Sequence, residues 1–71
     1  MDDAKIIKLQ ELKFLMEQSD ELFSLATDLE EYFFGVRTGC KCQYYVVLAQ
    51  LNNYWNPHGE KELEFLISQQ K

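Results

Sequence analysis

The residues best suited to chemistry in this chain are Cys40, Lys41, Cys42 and His58. Thiolates and an imidazole are zinc ligands, but a structural zinc site takes four ligands and usually shows two separated pairs. Here one C-x-C stands with one distant histidine. On a helix, Cys40 and Cys42 point about 200° apart, to nearly opposite sides. The spacing therefore predicts two reduced thiols, no metal and no cofactor. A site shared between two copies, which would make a metal-linked protein through Cys40 and Cys42, is the surviving metal alternative.

His58 lies between Pro57 and Gly59, where a solvated turn histidine is expected. No serine or cysteine is placed to use it as a base by a known local signature. Paired catalytic carboxylates need a cleft, which a small helical domain rarely encloses. Gly35, Gly39 and Gly59 are isolated and form no phosphate loop. The expectation is a protein that is not an enzyme.

What remains is surface chemistry. The net charge is −5. Residues 14–36 hold no Lys or Arg but contain Glu17, Asp20, Glu21, Asp28, Glu30 and Glu31. Residues 32–59 hold no Asp or Glu, and their fixed charges are Arg37 and Lys41. Direct nucleic-acid binding needs clustered Lys and Arg to displace counterions, so this pattern argues against it. It suits a basic protein surface instead.

Two further features point to binding. Tyr32, Phe33 and Phe34 precede Arg37, and Tyr44, Tyr45, Tyr54 and Trp55 follow it. Tyr, Trp and Arg are enriched in binding hot spots. In addition, Phe23 and Phe34 are eleven residues apart and share a helix face off the leucine stripe. Aromatic core filling accounts for Phe33, Tyr44 and Trp55. A helix sandwiched between two neighbours would equally explain Phe23 and Phe34. The candidate binding surface comprises Phe23, Phe34, Arg37, Tyr45, Asp20, Asp28 and Glu31.

Helices must position these groups. The first is expected over 3–18, capped by Asp2 or Asp3, with Ile6, Leu9, Leu12, Leu15 and Met16 inward. Ile7 and Phe14 lie off that stripe. Ser19-Asp20 breaks the chain, although 3–34 as one helix is the alternative. The second helix starts at Leu22, with Leu22, Leu25, Ala26, Leu29 and Phe33 inward, and Gly35 caps it left-handed. Residues 36–39 form a short connection that predicts an antiparallel turn-back. Thr38 caps a third helix over 40–55, with Cys40, Tyr44, Val47, Leu48, Leu51, Tyr54 and Trp55 inward. Tyr45 lies off this stripe, where exposure is expected. The β-formers at 44–47 leave a strand as the alternative, but no other segment alternates to pair with it. Asn56-Pro57 reads as a stop and a new N-cap. The last helix runs over 60–69 with Leu63, Leu66 and Ile67 inward.

The expected fold is all-α, a compact bundle of three to four short helices in one domain, 1–71, and open to dimerisation. Leu, Ile, Val and Phe make 21 of the 71 residues, enough for a folding chain. A domain this small has little stability to spare. The longest apolar run is 44–49, far below membrane-spanning length. The opening Met1-Asp2-Asp3 is acidic where a secretory leader is basic, so a cytoplasmic protein is expected.

The leading function is a small acidic, non-catalytic regulator or inhibitor that occupies a partner protein's surface. One form of it is a nucleic-acid-mimicking decoy for a basic nucleic-acid-binding protein. Viral and mobile-element inhibitors of restriction or CRISPR defence share this size and charge, an analogy of size and charge alone. The alternative is a structural or assembly subunit, or a helical homodimer, without an inhibitory role.

Overall fold

A computed structural model describes residues 2–18, 22–37 and 43–70. The described residues are helical throughout their elements, and no strand occurs among them. Helix α1 is Asp2–Glu17. Its i, i+3 leucine spacing puts Ile6, Leu9, Leu12 and Leu15 in the core, with Met16 half-buried beside them. The side chain of Asp3 accepts a hydrogen bond from Gln70, close to the other end of the chain.

Helix α2 is Phe23–Phe34. It is separate from α1, so the single long helix does not form. Ala26 and Leu29 are buried, and Leu22, Leu25 and Phe33 pack against the core from its edge. Gly35 ends α2 with φ 70°, and its N–H donates to the Glu31 carbonyl. Only glycine takes that left-handed geometry without steric cost.

Helix α3 is Tyr44–Tyr54, and α4 is Glu60–Gln69. The strand alternative at 44–49 fails, because these residues lie within α3. The expected stop at Asn56-Pro57 does not occur. A π-helical turn, Trp55–Gly59, joins α3 to α4, and the flanking residues Tyr54 and Glu60 keep right-handed helical dihedrals. No side chain caps α4. Residues 44–69 thus form one rod of about 39 Å at a rise of 1.5 Å per residue, against a longest molecular dimension of 41 Å. Proline normally breaks a helix because it lacks an N–H and crowds the carbonyl four residues back. A wide turn changes the bonding register at that point, so the missing donor falls where the ladder is already shifting.

Trp55 stabilises the turn from inside. Both Trp55 and Gly59 are buried, and the Trp55 ring fills the space where a Gly59 side chain would begin. Leu63 and Leu66 of α4 are buried as expected, but Ile67 is not: it is 38% exposed, at the flank of the face that meets α1.

The rods' directions follow from their contacts. Asp3 meets Gln70, while Leu15 and Met16 share a groove with Tyr45 and Leu48, so α1 runs antiparallel to the long rod. Phe23 packs on Tyr44 at 5.9 Å between ring centroids, and Phe33 packs on Tyr54 at 5.0 Å. Helix α2 therefore runs parallel to α3, and the expected antiparallel turn-back is wrong. These aromatic pairs at both ends set the direction. A short connection alone does not.

Candidate functional site

The expected surface residues divide into separate places. Phe23 opens α2 and lies partly buried on Tyr44, so α3 covers that ring. Phe34 closes α2, 40% exposed, with its ring 6.0 Å from Tyr54. Arg37 lies just beyond, with Nε 3.4 Å from Glu31 Oε2. Both side chains of that pair are well exposed, so it adds little stability. Asp28 is exposed on α2. Asp20, Thr38, Cys40 and Cys42 lie outside the described residues. His58 is exposed on the π turn, with its ring 5.7 Å from Tyr54.

Tyr45 is 70% exposed, as its position off the stripe predicts, and Val46 beside it is 59% exposed. Tyr45 stands in the first turn of α3, whereas Phe34 packs against the last. The nine residues from Tyr45 to Tyr54 separate them by about 13 Å along the helix. Phe34 and Arg37 belong to one end of the α2–α3 pair, and Tyr45 to the other.

Two grooves flank the outer side of α3. The larger, about 470 Å³, is lined by Phe34, Val36, Gln50, Asn53, Tyr54 and His58. The smaller, about 310 Å³, lies between α1 and α3 and includes Tyr45, Ala49 and Asn52. Along this side, α3 exposes Tyr45, Val46, Ala49, Gln50, Asn52 and Asn53. Not one of these carries a charge.

Tyr54, which lines the larger groove, also enters a polar tie that the sequence did not signal. The Tyr54 hydroxyl donates to Glu62 Oε1 at 2.6 Å, and Lys5 Nζ lies 2.7 Å from Glu62 Oε2. The tie joins α1, α3 and α4 across the π turn. Burial, then the hydrogen bond to Glu62, pushes the Tyr54 pKa up to about 12. Hydrogen bonds from Lys5 and then Tyr54 hold Glu62 below the usual carboxylate range. A spacing of eight residues across a proline gives no sequence cue. Glu30 was also missed: it is 2% exposed in α2, and it is engaged rather than free.

This arrangement offers apolar rings, amides and a flanking acidic helix, which is chemistry for non-covalent recognition. No protein-family model matches the chain, no curated protein matches it, and no solved structure matches it. No helix among the described residues is long and apolar enough to cross a membrane.

Proposed function

We propose that the protein is a non-catalytic binding regulator that acts by occupying a partner protein's surface. The observation that carries this reading is the charge-free outer face of α3, where Tyr45 and Val46 stand exposed near one end and the Phe34 groove opens along the flank towards the other. A 71-residue domain gains most from hiding its rings, and leaving these outward forgoes stability that burial would supply. Tyr45 and Phe34 are the anchors. Asp28 and Glu31 on α2 steer a basic partner, in the manner expected of an acidic decoy.

The test is a photo-crosslinking amino acid at position 45, introduced in the cells that make the protein. One recurrent partner protein is expected, and Phe34→Asp should abolish its capture. Phe14→Asp, on the outer side of α1, should not. Scattered crosslinks indifferent to Phe34→Asp would overturn the reading.

A further inference from the structure

We propose that the outer face of α3 is self-complementary, and that a second copy of this chain packs on it antiparallel when no other partner is bound. The proposal rests on the reading of this face as an interface and names one occupant for it.

Charge selects the face. Two chains of net charge −5 repel each other. The outer faces of the other helices would bring carboxylates towards the second copy: Glu17 on α1, Asp28 and Glu31 on α2, Glu60 and Glu64 on α4. Helix α3 contains no charged residue from Tyr44 to Tyr54. Among the described helices it alone has no charge to set against a copy of itself, whereas α1 and α4 would have to align exposed Lys13 or Lys61 with those carboxylates.

The order of residues then selects the orientation. In a two-fold antiparallel pair, positions equidistant from the axis face each other. With the axis at Ala49, Tyr45 comes within one residue, about 1.5 Å of rise, of Asn52 of the second copy, and Val46 within one residue of Asn53. Tyr45 and Asn52 lie on the edge of the face towards α1, and Val46 and Asn53 lie nearer its middle, so each pair shares a side of the face and the two one-residue offsets balance about Ala49. Each exposed apolar side chain meets an amide, whose N–H and C=O can serve the Tyr45 hydroxyl. A parallel pair would stack Tyr45 and Val46 at one end and leave the amides facing amides. Ala49 is exposed and small, which lets the helices approach to the 8–10 Å typical of packed pairs.

A weak, specific dimer asks for a small share of the surface. Specific interfaces start near 1,000 Å² in total, or about 500 Å² a copy, roughly a tenth of the 4909 Å² surface of this chain. Tyr45, 70% exposed, is the largest single contributor to the face.

Sedimentation equilibrium of the purified chain tests the proposal. The apparent mass should rise with concentration from 8.4 kDa towards twice that value. Ala49→Glu places two carboxylates at the axis and should raise the dissociation constant about a hundredfold or more. Ala49→Ser should leave the dimer in place, as should Phe14→Glu. Circular dichroism should show the same helicity for all three variants, since each site is exposed. A monomer at every concentration overturns the proposal, and so does a dimer indifferent to Ala49→Glu. The partner reading fails separately. A monomer whose position 45 still crosslinks one host protein sinks self-association alone. A dimer sensitive to Ala49→Glu, crosslinking only to its own copy, supports self-association and sinks the partner reading.

Discussion

The six-membered ring of Trp55 rests against Gly59, one turn further along the rod. A Cβ built on Gly59 would lie 2.8 Å from Trp55 Cζ3 and 2.9 Å from Cδ2. Alanine is otherwise the better helix former by about 1 kcal/mol. Overpacking a filled site costs about 1–3 kcal/mol, and here the obstacle is a buried indole with little room to move. Gly59→Ala should therefore destabilise the protein, against helix propensity. Urea denaturation checks this, and a more stable Gly59→Ala variant would show that the ring swings away freely.

The tie between Tyr54, Glu62 and Lys5 makes stability depend on pH at both ends of the scale. Glu62 has its folded pKa lowered, so its contribution is present above the unfolded carboxylate value and is lost as pH falls through the folded one. Tyr54 has its folded pKa raised from 10.0 to about 12. Its contribution is intact below pH 10 and is lost as pH climbs towards 12. Tyr54→Phe should flatten the alkaline limb, and Glu62→Gln should flatten the acid limb. Denaturant midpoints measured across pH, with the wild-type slope persisting in either variant, would show that other groups set that limb.

Tyr45 touches the fold lightly. At 70% exposure, its truncation to Ala should change folding stability by less than about 0.5 kcal/mol. The same change should speed dissociation of whatever binds there, because anchors control the off-rate. Surface plasmon resonance paired with thermal denaturation separates the two effects. A large loss of stability would identify Tyr45 as a structural ring instead.

Asp28 and Glu31 are exposed, so they should act on encounter rather than on the bound state. Reversing both to Lys should lower the on-rate for a basic partner and flatten its salt dependence, since exposed charges are screened over about 8 Å at physiological ionic strength. Asp28→Lys is the cleaner single change, because Glu31→Lys also leaves Arg37 facing a like charge. An unchanged on-rate and salt slope would leave the acidic helix as a solvated face.

Much of the fold was legible in the residues. The leucine spacing of α1 and α2 is local, and so is the left-handed Gly35 cap. The segment over 60–69 matches α4. The π turn was not legible, because Asn56-Pro57 is a sound local stop signal that burial of Trp55 on Gly59 overrides. The parallel course of α2 and α3 was hidden for a related reason. It depends on Phe23 meeting Tyr44 and Phe33 meeting Tyr54, contacts made between elements rather than within one. Of the candidate surface, the exposure of Tyr45 followed from its place on the helical wheel. Its separation from Phe34 and Arg37 did not, since that distance follows from how the helices are arranged.

Helix α1 packs against α2, against the π turn and against α4. Helix α2 packs in turn on α3, so α1 links the α4 half of the rod to the α2–α3 pair. Leu9, Leu12 and Leu15 belong to the same buried cluster as Leu29, Leu51 and Leu63, so releasing α1 would open the one core that all the helices share. Opening should accordingly be global rather than stepwise. The amides of Leu9, Leu12 and Leu15 should exchange with solvent deuterium no faster than the slowest in α3, and a single cooperative unit should account for them all.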